Sequence, residues 1–236
     1  MFEELDYQQT PMGELVLRRR SEPRLGGREI YEVKLGDEFL MSSLFSEGEE
    51  ALARLALDAL SGRDSLDLVV GGLGLGYTAA AALESAAVRS LLVIEYQAAV
   101  VDWHRRGLVP LGATLSADPR CRMIHDDFFR LAAEGLDPEH PGRRFHAVLL
   151  DIDHAPDHLL QPGHAAFYET GGLQALARQL QPGGVFSLWS NAPADPVFLQ
   201  RLQSCFAAAE AREVCFPNPY TGGESANTVY LASVSR

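Results

Sequence analysis

The chain has 236 residues, 20 Lys+Arg against 32 Asp+Glu, a formal net charge of −12 and 47% hydrophobic residues, which is the composition of a globular protein. These values exclude collagen-like, disordered and membrane-spanning classes, and the negative charge opposes binding to nucleic acid or to an anionic membrane surface. The three cysteines have no paired spacing, so neither a disulfide framework nor a metal site is predicted.

The N-terminal part of the chain alternates apolar and polar residues in the way that β-strands do. Segments 14–18 and 29–35 alternate on either side of a glycine-containing turn at 24–27. We therefore predict a β-hairpin region over residues 1–45 and a second domain over residues 46–236. Because the first residues have neither a basic nor an apolar leader pattern, a cytoplasmic location is expected.

A helix is predicted directly after the hairpin region. Ser46 and Glu49 have the spacing of a capping box. In that motif the serine side chain accepts a hydrogen bond from the backbone amide of the glutamate, and the glutamate side chain accepts one from the backbone amide of the serine. Apolar residues follow at helical spacing from Leu52 to Leu60, and Gly62 ends the pattern.

From residue 66 onward, apolar strands alternate with helical patterns. Strands are predicted at 66–70, 91–95, 122–125, 147–151 and 185–189, and helices at 79–86, 98–106, 166–180 and 196–209. The early strands are apolar throughout, which indicates a parallel sheet with helices on both faces. The last two strands, 212–216 and 228–232, have no helix between them and should pair as an antiparallel hairpin.

The first apolar strand runs straight into a glycine-rich turn. Gly71, Gly72, Gly74 and Gly76 leave room for a ligand at the carboxyl end of the strand, beside the N-terminus of the next helix. Glu95 ends the following strand, where a carboxylate can accept both hydroxyls of a ribose. The sequence therefore predicts a nucleoside-containing ligand.

Two nucleoside fingerprints overlap in this turn. Gly72, Gly74 and Gly76 fit the G-x-G-x-G form of S-adenosylmethionine folds, while Gly74, Gly76 and Ala79 fit the dinucleotide form G-x-G-x-x-A. The closing antiparallel hairpin resembles the class I methyltransferase sheet, whereas a dinucleotide domain continues with parallel units. We therefore predict an α/β, Rossmann-like class I methyltransferase fold, with a mostly parallel seven-stranded sheet and a terminal antiparallel strand, that binds S-adenosyl-L-methionine.

Two aspartates follow the third strand at the same edge of the sheet. Asp126 or Asp127 can accept the adenine amino group, with Phe128 or Phe129 against the ring face. One of the two aspartates can instead cap the helix that begins at Phe128. Both interpretations place this segment beside the ligand.

Three titratable residues follow the fourth strand. Strand alternation places Asp151 and Asp153 on a common side, where the pair can hold a cationic amine. One of them, or His154, can accept the proton of that amine. Trp189 and Asn191 end the fifth strand and can form another wall of the cleft.

These residues together resemble the spermidine synthase (polyamine aminopropyltransferase) family, which has a class I fold with a small N-terminal β-domain. The matching segments are 10–14, 71–76, Glu95, 127–129, 167–168 and 181–184. The resemblance implies that Glu95 binds the ribose, that Asp127 binds the adenine and that Asp151 is the catalytic acid-base residue. It also implies a homodimer formed through the N-terminal region.

The chain differs from the family at positions that specify aminopropyl transfer. The family has an aspartate in the glycine turn that holds the amine tail of decarboxylated S-adenosylmethionine, whereas this chain has Leu73 and Leu75. The family's Tyr-His-Glu sequence is absent, and Glu49-Glu50-Ala51-Leu52 stands in its place. Asp153 is displaced from the position of the family's second aspartate. Because the turn lacks the acid, we predict methyl transfer from S-adenosyl-L-methionine to a small amine-containing acceptor.

Three alternatives stay open at this point. The first is an aminopropyltransferase that uses decarboxylated S-adenosylmethionine, and the second is an NAD(P)-binding oxidoreductase. The third is a nucleoside-binding protein without catalytic activity. No metal, nucleic-acid or membrane partner is predicted for any of them.

Overall fold

An antiparallel sheet of four strands opens the chain in the computed structural model, which describes residues 2–236. Its strands lie side by side in chain order: β1 (Phe2–Thr10), β2 (Gly13–Glu22), β3 (Arg28–Leu35) and β4 (Glu38–Ser42). The sequence pattern indicates only β2 and β3, because β1 and β4 have no fully buried residue and so lack a clear apolar alternation. Leu15, Leu17 and Val33 of β2 and β3 are buried in the main core.

The remaining strands form one seven-stranded sheet. They are β5 (Leu66–Gly71), β6 (Val88–Glu95), β7 (Cys121–His125), β8 (Phe145–Leu150), β9 (Leu180–Ser190), β10 (Ala208–Asn218) and β11 (Gly223–Ser233). Their order is β10-β11-β9-β8-β5-β6-β7, and β11 runs antiparallel to both of its neighbours while the other pairs are parallel. The predicted mostly parallel sheet with a terminal antiparallel strand is confirmed.

Helices cover both faces of the large sheet. They are α1 (Glu47–Ala59), α2 (Tyr77–Leu83), α3 (Ala98–Arg105), α4 (Gly112–Ala117), α5 (Phe128–Glu134), α6 (Ala165–Tyr168), α7 (Thr170–Ala177) and α8 (Pro196–Cys205). The first four helices pack with Leu68 and Val70 on one face, and the last four pack with Val69 on the other. Both faces of β5 are therefore buried, which explains why Leu68, Val69 and Val70 are consecutive apolar residues.

Two predicted helices have different bounds in the structure. The helix predicted at 166–180 is two helices, because Glu169 has extended backbone with φ −82° and ψ 163°. The helix predicted at 196–209 ends at Cys205, since Phe206 is extended and the chain enters β10 at Ala208.

The capping box predicted at the start of α1 does not form. The Ser46 hydroxyl donates to Glu50 Oε1 at 2.9 Å, and the Ser46 amide donates to Glu47 Oε2 at 3.0 Å. The Glu49 side chain therefore does not cap the helix as its spacing suggests, and it lines the cavity described below.

The register of the sheet places the predicted site residues at one edge. Gly71 pairs with Ile94 of β6 and with Leu150 of β8. Gly72 and Asp151, which directly follow β5 and β8, therefore lie at the same level as Glu95, the last residue of β6. Among residues 2–236, no helix is long and apolar enough to cross a membrane.

Candidate active site

A cavity of about 930 Å³ lies at the carboxyl edge of the large sheet. Its walls come from the strand ends, from α1 and from the small N-terminal sheet. The N-terminal sheet and its turns contribute apolar side chains, which are Met12, Leu35, Phe39, Leu40 and Met41. The small sheet therefore closes one side of the ligand site.

The glycine turn lets the backbone approach this cavity. Gly72 has φ +91° and lies against the carbonyl group of Asp151, so a Cβ atom at this position would overlap it. Gly76 has φ +96°, and a Cβ atom there would lie 2.6 Å from Leu115 and 2.9 Å from His104. Gly72, Gly74 and Gly76 line the cavity, whereas Gly71 lies under the Phe128 ring and does not.

Glu95 is buried and holds the turn in place. Its Oε2 accepts a hydrogen bond from the Leu73 amide at 2.9 Å, and its Oε1 accepts one from the Gln97 amide at 2.7 Å. Burial raises the pKa of Glu95, although these amide hydrogen bonds lower it in part. Because each carboxylate oxygen has a further lone pair, Glu95 can still accept hydroxyl groups of a ligand in the cavity that it lines.

Of the two neighbouring aspartates, only Asp127 lines the cavity. Asp127 also caps α5, since its Oδ1 accepts from the Phe129 amide at 2.9 Å and the Arg130 amide at 3.3 Å. Asp126 instead accepts a hydrogen bond from the Arg130 guanidinium at 2.6 Å, and of these two residues only Arg130 lines the cavity. Phe128 lines the cavity beside Asp127.

Asp151 lines the middle of the cavity. Its Oδ2 accepts a hydrogen bond from the Thr78 hydroxyl at 2.8 Å. Burial raises the pKa of Asp151, and the Thr78 hydrogen bond offsets part of this rise. The position is suited to a group that must accept a proton near neutral pH.

Glu49 is a second carboxylate in the same part of the cavity. Burial raises the pKa of Glu49 first, and the nearby charge of Asp151 raises it further. The main causes of the two pKa shifts are burial, hydrogen bonds and neighbouring carboxylates, and none of these causes is a cationic side chain. The pair is therefore a candidate site for a cationic group of a ligand.

The structure corrects the pairing that was predicted for Asp153. Asp153 is buried away from the cavity, where it accepts hydrogen bonds from the Leu160 amide at 2.7 Å, from His164 Nδ1 at 2.8 Å and from the Tyr168 hydroxyl at 2.8 Å. The strand alternation does not extend to this residue because β8 ends at Leu150 and the chain then turns.

His154 lies at the cavity, as predicted. Its carbonyl oxygen accepts a hydrogen bond from the Asn191 amide at 2.8 Å, which connects the chain after β8 to the chain after β9. Trp189 and Asn191 also line the cavity, which agrees with the wall expected from the fifth strand of the sequence pattern.

Glu49 was not among the predicted site residues, although the sequence contains a signal for it. Residues 49, 52, 53 and 56 share one face of α1, and Leu52, Ala53 and Ala56 are fully buried. An acidic residue on the apolar face of a helix is unusual and indicates a site. The apolar wall from the N-terminal sheet carries no such signal, because it depends on how the two sheets pack.

No family model and no curated protein matches the chain. Solved structures do match it over 98% of its length. A spermidine synthase in complex with the transition-state analogue AdoDATO has a TM-score of 0.75 and 17% identity, with 73% of that chain covered. The spermidine synthase from Thermotoga maritima has a TM-score of 0.73 and 16% identity, with 72% covered. A probable spermidine synthase from Corynebacterium glutamicum ATCC 13032 has a TM-score of 0.65 and 14% identity, with 79% covered.

The chain has the fold of the spermidine synthases. The resemblance inferred from the sequence motifs is confirmed at the level of the fold, which includes the class I methyltransferase-like sheet and the small N-terminal sheet. Among the described residues, no group of His, Cys, Asp and Glu side chains is arranged to hold a metal ion.

Proposed function

We propose that the chain is a transferase of the spermidine synthase-like family that moves the aminopropyl group of decarboxylated S-adenosylmethionine to an amine. The observation that carries this proposal is the pair of buried carboxylates, Glu49 and Asp151, beside the glycine turn. A ligand tail that ends in an ammonium group is attracted to this pair, whereas the carboxylate of intact S-adenosylmethionine is repelled by it. The shared fold supports the same choice.

The residues at the other end of the cavity fit the nucleoside half of this donor. Glu95 has free lone pairs for the ribose hydroxyls, and Asp127 has them for the adenine amino group. Phe128 and Phe129 line the cavity beside Asp127, and they are the aromatic residues placed to contact the base. The turn at Gly72 and Gly76 allows the donor to approach the backbone closely.

In the proposed reaction, the nitrogen of the acceptor amine attacks the propyl carbon that is bonded to the sulfonium. The new N–C bond forms as the C–S bond breaks, and the sulfur keeps the electron pair and leaves in methylthioadenosine. Asp151 takes the proton that the nitrogen loses, for which its raised pKa is suited. Glu49 holds the ammonium group of the transferred propylamine, and the cavity positions the two reactants.

A second candidate is methyl transfer from intact S-adenosylmethionine. It is favoured by Leu73 and Leu75, since neither residue of the turn can hold an amine tail. Their side chains are almost fully buried in the core, so the turn offers the ligand only backbone groups. The carboxylate of intact S-adenosylmethionine would however lie near Glu49 and Asp151. Both residues are themselves carboxylic acids, so neither offers that carboxylate a positive charge.

The products of the reaction distinguish the two candidates. The protein is incubated with a mixture of primary amines and either decarboxylated or intact S-adenosylmethionine. The nucleoside product of each reaction is then identified by mass spectrometry. We expect methylthioadenosine together with an aminopropylated amine. Formation of S-adenosylhomocysteine with a methylated amine, and no methylthioadenosine, would overturn the proposal in favour of the second candidate.

A further inference from the structure

A segment that has no part in the proposed reaction lines the cavity near the residues that fit the adenine. Four residues of this segment line the cavity, which are Leu160, Gln161, Gly163 and His164. The His164 ring stacks on the Phe129 ring, with 3.8 Å between the ring centroids and 23° between the ring planes. Phe129 also lines the cavity and is two residues from Asp127. His164 therefore lies at the donor end of the cavity, the end that fits the nucleoside.

Asp153 anchors both ends of this segment. Its side chain is fully buried and accepts hydrogen bonds from the Leu160 amide at 2.7 Å and from His164 Nδ1 at 2.8 Å. The Tyr168 hydroxyl donates a third hydrogen bond at 2.8 Å. Within residues 2–236, no arginine or lysine forms an ion pair with Asp153. A buried carboxylate is costly unless hydrogen bonds satisfy it, so Asp153 holds its three donors, His164 among them, in place.

The hydrogen bond to Asp153 determines which nitrogen of His164 is left for a ligand. An ionised carboxylate only accepts hydrogen bonds, so Nδ1 carries the hydrogen atom and the neutral ring has its lone pair on Nε2. Nε2 has no hydrogen-bond partner within residues 2–236 and is not a buried atom, and the His164 side chain is 14% exposed. Because His164 lines the cavity, Nε2 is a free acceptor there.

The adenine of the donor offers a hydrogen atom for this acceptor. The 6-amino group of adenine donates two hydrogen bonds, and Asp127 is the acceptor proposed for one of them. The next three residues along this wall, Phe128, Phe129 and Arg130, have no side-chain acceptor. His164 Nε2 supplies an acceptor for the second hydrogen atom.

We infer that His164, oriented by Asp153, binds the 6-amino group of the donor and selects adenine over purines that lack this group. His164 is then a specificity-determining residue that touches the ligand, and Asp153 is a positioning residue that acts through it. The inference rests on the proposed function only for the adenosine half of the donor, which intact S-adenosylmethionine has as well.

The test compares two nucleosides that differ only at C6 of the purine. Methylthioadenosine has the amino group, and the 5′-methylthio derivative of purine riboside has a hydrogen atom in its place. Calorimetric titrations at about pH 8.5, where ordinary histidine side chains are neutral, give the ratio of the two affinities. We expect the unmodified chain to bind methylthioadenosine at least about tenfold more tightly, as the loss of one or two hydrogen bonds predicts.

Two variants assign this ratio to Nε2. His164→Phe keeps a ring against Phe129, and His164→Asn keeps an N–H group for Asp153, but neither has an acceptor in the place of Nε2. In each variant that circular dichroism shows to be folded, methylthioadenosine affinity should fall about tenfold while the affinity for the other nucleoside stays unchanged. An unchanged ratio, or an equal loss for both nucleosides, would overturn the inference.

His140→Phe is the matched control. His140 also bonds an aspartate through its Nδ1, which lies 3.0 Å from Asp137 Oδ2, but it does not line the cavity. Both nucleoside affinities of this variant should equal those of the unmodified chain. A change of the ratio in His140→Phe as large as that in the His164 variants would overturn the assignment to His164.

Turnover is measured separately from binding. Formation of methylthioadenosine from decarboxylated S-adenosylmethionine, with an affinity ratio that does not depend on His164, would leave the proposed function standing and overturn the inference. A ratio that depends on His164, without aminopropyl transfer to any amine, would overturn the proposed function and support the inference. Binding of neither nucleoside would overturn both.

Discussion

The Thr78 hydroxyl donates a hydrogen bond to Asp151 Oδ2 at 2.8 Å. Thr78 is the second residue of α2, the helix that directly follows the glycine turn. Asp151 directly follows β8. The hydrogen bond therefore fixes the carboxylate that would accept the proton relative to the turn that would hold the donor. A fixed distance between these two groups is what a transfer between two bound molecules requires.

Replacement of Asp151 tests its assignment as the proton acceptor. Asp151→Asn keeps the shape and the Thr78 contact but cannot take up a proton, so kcat is expected to fall about 10²- to 10³-fold. Steady-state kinetics of methylthioadenosine formation check this value. Asp126→Asn is the matched control because the Asp126 carboxylate does not line the cavity, and its kcat should stay near that of the unmodified protein.

The pH dependence of the reaction should report the environment of Asp151. Burial raises the pKa of this carboxyl group, so activity is lost on acidification at a higher pH than an ordinary aspartate would give. The Thr78 hydrogen bond lowers the pKa in part. Thr78→Val removes that bond, and the acid limb of the kcat profile should therefore move to higher pH.

Thr78→Ser is the matched control for this profile, because it keeps the hydroxyl group. Its acid limb should coincide with that of the unmodified protein. A Thr78→Val profile that moves to lower pH, or that does not move, would contradict the assignment of the limb to Asp151.

Binding of a cation between Glu49 and Asp151 should release protons. The pKa values of both carboxyl groups are raised in the structure, and an ammonium group between them lowers these values again. Near neutral pH, a fraction of the raised groups is protonated and must lose its proton when the cation binds. Calorimetric titrations in two buffers with different ionisation enthalpies measure this release, and uptake of protons would be inconsistent with the proposed site.

A network of ion pairs at the other end of the sheet should control stability. Arg143 contacts both Asp137, at 3.0 Å, and Asp67, at 3.1 Å. Burial alone would raise the pKa of Asp137, but hydrogen bonds from Arg122, Arg143 and His140 outweigh it and lower this pKa to about 2. The resulting stabilisation is present above the pKa of an unfolded aspartate, about 3.9, and is lost as the pH falls from there toward 2.

Arg143→Met should lower the free energy of unfolding by about 1–3 kcal/mol at neutral pH, because two buried carboxylates each lose a hydrogen-bonded cation. The loss should shrink as the pH falls below 4, where Asp137 becomes protonated. Urea denaturation at several pH values measures both effects. Arg212→Met is the control, since its ion pair with Glu210 is exposed and contributes at most about 1 kcal/mol.

Much of the donor end of the site could be predicted from the sequence. Parallel strands end at one edge, so a glycine turn after β5 and an acid after β6 are close in space whatever the details of packing. The prediction failed at Asp153, because alternation holds only within a strand and β8 ends at Leu150. It failed also at Ser46, whose hydroxyl bonds Glu50 rather than the backbone.

The side of the cavity lined by β9, β10 and β11 depends on relations that no local pattern encodes. The close packing of Gly48 against Trp189 and Asn227 is set by how α1 packs on β9 and β11. The position of Glu49 could be predicted only in part. Helical spacing in the sequence places Glu49 on the buried face of α1, but its proximity to Asp151 depends on how α1 packs on the sheet.

The most direct test of the account is the affinity of the protein for decarboxylated and for intact S-adenosylmethionine, measured by calorimetry with the unmodified chain and with Glu49→Gln. Glu49 and Asp151 should make the decarboxylated compound bind at least about tenfold more tightly, since only its tail is without a negative charge. Glu49→Gln should reduce this ratio because a glutamine cannot lose a proton and become a negative partner of the bound ammonium group. Tighter binding of the intact compound by the unmodified chain would contradict the account.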